Sequence, residues 1–222
     1  MKKIQLAAIV IFLALTTSPK ANALVEVPTL RFGLGYAPLT FTAGTVFKDP
    51  EPLGNMMTIN PMFLWDMPGI RTRLGVHFLA DIGSKYGQVS IAGMGLTAIF
   101  YPLGLSSGRE FREDFSEIVK TRVSPYFQVQ ITPAKMSITK KPLPSDTNFA
   151  QEMANSVNWP YFSALVIETS FGIGVDYPIG NDLILFGGLH YRAAAYKEQE
   201  TTTGSVSYSG MELLVGLMTN FY

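Results

Sequence analysis

Charged side chains recur at alternate positions within several apolar segments, and these are the residues through which the chain could do chemistry. The set that shares one parity of the alternation comprises Arg31, Arg71, Arg73, His77, Asp81, Arg122, Glu168, Asp176, His190, Arg192 and Glu212. In an interior, an isolated charge is costly and must pair or stay hydrated. We therefore predict a network of interior ion pairs in which Glu168 and Glu212 bridge the central arginines.

This predicted network of interior charges has two interpretations. In the structural one, paired charges fill the interior and plug it; in the functional one, they line a gated polar path or a site for a small solute. The core of the predicted network consists of Arg71, Arg73, Arg122, Glu168, Arg192 and Glu212. Five interior arginines facing few carboxylates favour the structural interpretation.

Catalytic chemistry has few candidate residues here. A lipid-modifying enzyme would need a histidine close to a serine and a carboxylate, yet neither His77 nor His190 has a serine two residues away on its own face. The chain has no cysteine, which excludes thiolate metal sites and cysteine nucleophiles. The spacings of zinc-protease, P-loop and calcium-loop motifs do not occur either. We predict no catalytic residue, metal ligand or cofactor, and we expect that the chain is not an enzyme.

The elements that carry the charges are predicted to be β-strands, because apolar and polar residues alternate with a period of two. In the clearest segment Val76 and Phe78 alternate with Gly75 and His77. Eight such segments occur, at about 30–36, 56–66, 70–82, 88–101, 122–131, 165–176, 182–197 and 211–221. The expected fold class is all-β, an antiparallel up-and-down β-barrel of about eight strands.

The connections between these segments differ in length. Those at 66–69 and 177–182 are short and turn-like, whereas those at about 37–55 and 134–160 are long. Short turns at one end and longer loops at the other are typical of an outer-membrane barrel, whose short turns face the periplasm. The charged connection through 109–115 departs from this pattern, and we interpret it as a brief helix. We interpret the loop at 134–160 as an ordinary solvated loop, with a site for a surface ligand as the alternative.

The character of the two faces decides between a soluble and a membrane barrel. One face is uniformly apolar, whereas the other mixes charges with glycines, which a solvent-facing strand has no reason to favour but a crowded eight-stranded interior accommodates. Aromatic residues near the strand ends resemble the girdles found at lipid headgroups. These aromatic residues are Tyr36, Trp65, Tyr101, Trp159, Tyr161, Tyr177 and Tyr191. We predict a transmembrane barrel, with a soluble ligand-carrying barrel as the alternative.

Both ends of the sequence fit export to a membrane. Residues 1–23 have a basic start, a short apolar core and a small-x-small exit, as a cleavable signal peptide does. The apolar core falls short of the about 20 residues that a spanning helix needs. We expect cleavage after Ala23 and a barrel domain at 24–222, with an aromatic terminus at Phe221 and Tyr222 that resembles an assembly signal.

The sequence resembles the small outer-membrane barrel superfamily (OmpA-, OmpX- and OmpW-like barrels). The resemblance rests on the leader, the eight segments, the aromatic terminus and two similar strand ends, Tyr101-Pro102-Leu103-Gly104 and Tyr177-Pro178-Ile179-Gly180. It implies a location in the bacterial outer membrane, contact with outer-membrane lipid and lipopolysaccharide, and insertion by the barrel-assembly machinery. No functional motif comes with it.

Three functions are compatible with such a barrel. The leading hypothesis is a structural or surface-interaction role with a largely plugged polar lumen, carried out by a monomer. The alternative is a narrow channel for small solutes, and the third is a lipid-modifying enzyme. Nucleic acid is not an expected partner, because the formal net charge is +0 and no block of basic residues occurs.

Overall fold

The described part of the chain is built from strands. The computed structural model describes residues 28–43, 51–67, 70–83, 87–111, 117–140, 161–180, 183–196 and 206–220. The barrel strands are β1 (Thr29–Ala43), β2 (Glu51–Met67), β3 (Thr72–Gly83), β4 (Gly87–Phe100), β7 (Ser124–Lys140), β8 (Tyr161–Pro178), β9 (Leu183–Tyr196) and β10 (Val206–Asn220). Two further strands, β5 (Ser107–Phe111) and β6 (Glu117–Thr121), form a separate sheet. The leader predicted at 1–23 and the aromatic terminus lie outside the described residues.

The eight barrel strands follow one another around a closed antiparallel sheet in the order β1-β2-β3-β4-β7-β8-β9-β10. Closure joins the first strand to the last, with Thr29 of β1 opposite Asn220 of β10. The predicted up-and-down barrel of eight strands is confirmed. Within the described ranges, no helix is long and apolar enough to cross a membrane.

Side chains alternate between the two faces of the barrel wall. In β1, Arg31 and Gly33 are buried inside, whereas Phe32 and Leu34 are exposed outside. The alternation follows from the pleat of a strand, which sends successive side chains to opposite faces. The register of each strand therefore decides which residues meet in the interior.

The loop predicted at 134–160 is wrong at its start, because β7 continues to Lys140. Lys135 lies within the strand and pairs with residues of both β4 and β8. The hydrogen bonds between neighbouring strands join backbone groups and do not depend on the side chains. The strand can therefore continue beyond the segment in which apolar and polar residues alternate. The rest of the predicted loop, 141–160, lies outside the described residues.

Two further connections differ from the prediction. The loop expected at 37–55 begins later, because β1 continues to Ala43. The helix expected through 109–115 is wrong where the chain is described, since Arg109 lies in β5, opposite Val119 of β6. The two short strands form an antiparallel ribbon between β4 and β7.

The two ends of the barrel carry different connections. β1 begins and β10 ends at the same end, which also carries the short connections from β2 to β3 and from β8 to β9 and the ribbon of β5 and β6. We call it the periplasmic end, because short turns of such barrels face the periplasm. The opposite end is the outer end.

Candidate functional site

The barrel interior is filled by side chains in layers along its axis. Four side chains of β8 that point into the lumen each belong to a different layer. In order from the periplasmic end they are Asp176, Ser170, Glu168 and Val166. All four side chains are buried. An eight-stranded interior is only wide enough to be filled by side chains, so each layer spans the lumen.

The layer nearest the periplasmic end is charged, and we call it the periplasmic cluster. Its members are Arg31, Asp66, Arg73, Tyr101, Ser106, Tyr126 and Asp176. Arg31 Nη1 lies 2.9 Å from Asp176 Oδ1. Asp176 Oδ2 accepts hydrogen bonds from the hydroxyls of Tyr101 and Ser106, each at 2.8 Å. The buried carboxylate is thus held by a guanidinium and two hydroxyl groups.

The segment Tyr101–Ser106 closes the periplasmic mouth of the barrel. Its first and last side chains, Tyr101 and Ser106, are fully buried within the periplasmic cluster. The backbone turns at Gly104, whose φ is 99°. A Cβ there would lie 1.6 Å from Nη2 at the end of the exposed Arg122 side chain, which can move, so the requirement for glycine comes from the backbone conformation.

A second charged layer, the outer cluster, lies further toward the outer end. Its members are Thr58, Asp81, Glu168, Arg192, Tyr208 and Glu212. Arg192 binds Glu168 through two parallel hydrogen bonds, Nε to Oε1 at 2.9 Å and Nη2 to Oε2 at 2.7 Å. It also binds Asp81 and Glu212, the latter at 3.2 Å. Bidentate guanidinium–carboxylate pairs are strong and fix geometry, so this layer is rigidly cross-linked.

A neutral polar layer separates the two clusters. Its members are Asn60, His77, Gln128, Gln130, Thr132, Ser170 and His190. His77 Nε2 lies 2.7 Å from the Thr132 hydroxyl, and His190 Nδ1 lies 3.5 Å from the Ser170 hydroxyl. The second ring nitrogen of each histidine has no hydrogen-bond partner among the described residues. A catalytic serine–histidine pair needs a carboxylate at that nitrogen, so the described geometry is not that of a hydrolytic triad.

The described residues do not form a metal-binding site. No group of three or more histidine, aspartate or glutamate side chains is placed among them to hold an ion. The three carboxylates that converge in the outer cluster already surround Arg192. The guanidinium occupies the place where a cation would sit.

An apolar layer, which we call the apolar collar, fills the lumen beyond the outer cluster. It consists of Ala37, Leu39, Met56, Leu79, Val89, Ile91, Ala134, Met136, Ala164, Val166, Ala194 and Tyr208. All eight barrel strands contribute, and every member is at most 7% exposed. On β2, β8 and β9 the collar residues lie further toward the outer end than the outer cluster, whereas on β3 Leu79 lies on the periplasmic side of Asp81.

Four of the six residues of the predicted core network lie in the lumen. Glu168 and Glu212 both bind Arg192, so one arginine joins the carboxylates, whereas the prediction had the two glutamates bridge several arginines. Arg73 is also buried, but its Nε binds Asp66 at 2.6 Å. The charges thus form two separate clusters, because the registers place the arginines at different heights in the barrel.

The lumenal placement predicted for Arg71 and Arg122 is wrong. Both side chains are exposed; Arg71 donates to the Pro102 carbonyl at 3.0 Å and Arg122 to the Leu105 carbonyl at 3.2 Å. Arg71 lies before β3 with a φ of 54°, and Arg122 lies between β6 and β7. The alternation of faces does not continue beyond a strand end, so neither arginine points inward.

Several polar residues of the clusters were not predicted, among them Thr58 and also Asp66, which was assigned to the turn at 66–69. Tyr101 was expected in the aromatic girdle, but Phe100 takes the outward position and the neighbouring Tyr101 points inward. Tyr208 precedes the segment predicted at 211–221, although its parity would have shown its inward direction. Ser106 lies outside the barrel strands, and no periodic signal marks it.

The outer face of the barrel is apolar on every strand. Its exposed side chains include Phe32, Leu34, Met57, Ile59, Phe78, Ile82, Met94, Leu96, Phe127, Val129, Leu165, Ile167, Phe171, Ile173, Leu185, Leu189, Leu213, Val215 and Leu217. A barrel with ion pairs inside and an apolar surface outside is stable only where lipid surrounds it. The chain is a transmembrane β-barrel of the outer-membrane type. The soluble-barrel alternative is wrong, since there the apolar face would be the interior.

The described aromatic residues of the predicted girdle are divided between the two faces. Tyr36, Tyr177 and Tyr191 are exposed on the outer face of the barrel. Of these, Tyr177 lies near the periplasmic end of β8, where an amphipathic ring can reach the headgroups, whereas Tyr191 stands opposite Phe171 in the middle of the strands. Tyr101 is in the lumen. Trp159 lies outside the described residues, as does the side chain of Tyr161.

Solved structures of small outer-membrane barrels are similar to this chain. Neisserial surface protein A is 14% identical, covers 86% of this chain and 97% of its own, and gives a TM-score of 0.49. The outer membrane protein OprG from Pseudomonas aeruginosa is 10% identical, with coverage of 89% and 97% and a TM-score of 0.47. The N-terminal β-barrel domain of Pseudomonas aeruginosa OprF is 10% identical, with coverage of 88% and 99% and a TM-score of 0.45. No protein-family model and no curated protein sequence matches the chain.

Proposed function

We propose that the chain is a structural outer-membrane barrel whose lumen is sealed, so that it anchors its outer loops in the membrane and conducts no ions. The observation that carries this proposal is the apolar collar, which is contributed by all eight barrel strands and buried throughout. An ion that crossed this layer would lose its hydration without gaining a polar partner. Apolar constrictions stop conduction by excluding water.

The periplasmic mouth supports the same proposal. The segment Tyr101–Ser106 is tied to the wall by hydrogen bonds from both of its end residues to Asp176. Between the mouth and the collar, the outer cluster fills the lumen with paired charges. A solute would have to pass the periplasmic cluster, the neutral polar layer, the outer cluster and the collar in turn, so a closed barrel fits these contacts better than an open path.

Single-channel recording tests the proposal. The purified protein in a planar bilayer should show no unitary conductance steps. The double variant Met56→Ala, Met136→Ala should show a small, reproducible conductance, because the shorter alanine side chains leave a wider opening through the collar. Met57→Ala is the matched control, since Met57 is the outward neighbour of Met56 and is exposed. Reproducible conductance of the unmodified protein would favour the narrow channel instead.

The partners of such a barrel follow from its two surfaces. Outer-membrane lipid and lipopolysaccharide would contact the apolar exterior, the barrel-assembly machinery would insert the chain, and a surface ligand would bind the outer loops, including 141–160. The enzymatic alternative is tested by mass spectrometry of lipid A from cells with and without the protein. Identical lipid A is expected, and a mass change that depends on the protein would contradict the structural role.

A further inference from the structure

Arg31 is paired through only part of its guanidinium group. The residue is fully buried, and Nη1 binds Asp176 Oδ1 at 2.9 Å. Its Cζ lies 3.6 Å from the ring centroid of Phe186 and 4.5 Å from that of Tyr126. Nε and Nη2 have no hydrogen-bond partner among the described residues. These two N–H groups form the edge with which a guanidinium binds anions through two hydrogen bonds.

Two hydroxyl groups of the same layer are also without a partner in the described part of the chain. They belong to Ser124 and Tyr126, which occupy successive inward positions of β7 and are buried. Ser124 stands opposite Asp176, the carboxylate that binds Arg31. Each hydroxyl can donate a hydrogen bond. Buried polar groups nearly always have a hydrogen-bond partner. This layer therefore offers several hydrogen-bond donors to a ligand with acceptor atoms.

Glycines hold the Tyr126 hydroxyl in this position. A Cβ at Gly174 would lie 2.3 Å from Tyr126 Oη, and one at Gly188 would lie 2.5 Å from it. The backbone of β8 and β9 therefore leaves room for the end of this ring and for no larger side chain. The hydroxyl stays in the lumen beside the Arg31 layer.

The charge balance differs between the two clusters. In the periplasmic cluster the guanidinium groups of Arg31 and Arg73 are matched by the carboxylates of Asp176 and Asp66, the latter 2.6 Å from Arg73 Nε and 19% exposed. In the outer cluster Arg192 faces three carboxylates. An anion in the lumen is therefore repelled by the outer cluster, whereas the charges of the periplasmic cluster are balanced.

We propose that the free edge of Arg31 binds a monovalent anion of the size of chloride, with the hydroxyl groups of Tyr126 and Ser124 as further donors. A single-atom ion fits the layer better than an oxyanion, because the rings of Tyr126 and Phe186 already pack against the guanidinium. The ion accepts the hydrogen bonds that Arg31 Nε and Nη2 make to no described residue. It is a structural ion, acquired while the barrel closes around it.

Anomalous diffraction tests the location of the ion. The full chain is refolded from urea into detergent micelles in sodium bromide and crystallised from bromide. An anomalous peak at hydrogen-bonding distance from Arg31 Nε or Nη2 is expected. Ordered water satisfies the same donors but gives no anomalous signal, so density without an anomalous peak at this place would overturn the proposal.

Thermal unfolding gives a second test that does not depend on crystals. The unfolding temperature should rise with chloride concentration when gluconate keeps the ionic strength constant, because an ion that binds only the folded state stabilises it. Tyr126→Phe keeps the ring but removes a donor, and it should lose at least half of this rise. Tyr191→Phe, a lipid-facing control, should keep all of it. An equal rise in the two variants would contradict the site.

The unfolding temperature of Tyr126→Phe in the absence of halide distinguishes an anion site from a hydroxyl group that only stabilises the fold. Without a halide to bind, removal of an unpaired buried hydroxyl should leave the unfolding temperature unchanged or raise it. Arg31→Lys keeps the positive charge but lacks the two-donor edge, so it should also lose the chloride response. Loss of stability in Tyr126→Phe that is the same in chloride and in gluconate would overturn the proposal. A conductance measurement tests the proposal that the lumen is sealed, and its result does not decide whether Arg31 binds an anion.

Discussion

Arg192 shows how far one residue determines the interior of this barrel. Its guanidinium binds Asp81, Glu168 and Glu212, which come from three different strands. Breaking a buried ion pair by removing one partner is much more costly than the pair is stabilising, because the remaining charge stays buried without compensation. The three carboxylates therefore depend on this one side chain.

Replacement of that side chain gives the residue-scale prediction. Arg192→Ala should lower the free energy of unfolding by about 3–5 kcal/mol, since three carboxylates lose their shared cation. Urea unfolding in lipid vesicles, followed by tryptophan fluorescence, measures this. Arg122→Ala is the control, and because that arginine is exposed it should cost about 1 kcal/mol or less. Equal losses would mean that the outer cluster does not hold the barrel together.

The partners of individual charges could not be predicted from the sequence, although their faces could. The alternation places Glu168, Arg192 and Glu212 inward, and the structure brings these three together. Their partner Asp81 is 111 residues from Arg192 along the chain, and only the register of the closed sheet brings it to the same height. Periodicity gives the direction of a side chain, whereas its height in the lumen depends on the stagger of all eight strands.

At the scale of elements, the sequence predicts strands well and their ends poorly. β7 continues through Lys135 to Lys140, where polar side chains hide the alternation but the backbone still pairs. The segment Tyr101–Ser106 has no period at all, yet it closes the periplasmic mouth. Such a segment is held by single hydrogen bonds and one glycine conformation, which composition does not reveal.

Gly104 gives the element-scale prediction. With φ at 99°, Gly104→Ala should cost about 1 kcal/mol from the backbone conformation alone and displace Arg122 from the Leu105 carbonyl. Gly180→Ala is the matched control, since a Cβ there meets nothing within 4 Å. Hydrogen exchange of the amides of 101–106 should be faster in the first variant only. Unchanged exchange would show that the mouth does not depend on this turn.

The whole molecule has an apolar exterior and a charged interior, and this inversion was predictable because it is repeated along every strand. The sequence also predicted eight strands and their antiparallel order, since the period of two recurs with turn-like breaks. The apolar collar was not predicted. Its members share the inward parity of the charges, so only their burial at one height shows that they form a layer.

The prediction at this scale concerns depth in the membrane. Phe171→Arg places a charge near the middle of the lipid-facing band and should destabilise the barrel by about 2–4 kcal/mol, whereas Ile82→Arg, near the outer end of β3, should cost about 1 kcal/mol or less. Unfolding free energies in lipid vesicles compare the two. The same cost at both positions would place the hydrocarbon layer elsewhere on the barrel.

The composition of the outer cluster has a consequence for how the barrel is completed. Thr58 and Asp81 lie in the second and third strands, whereas Glu168, Arg192 and Glu212 lie in the last three. An unclosed sheet keeps these two groups apart, so the carboxylates and the guanidinium stay solvated separately. The contacts exist in the closed barrel, in which β1 pairs with β10. A sheet closed in another register would bury these charges away from their partners, which is costly.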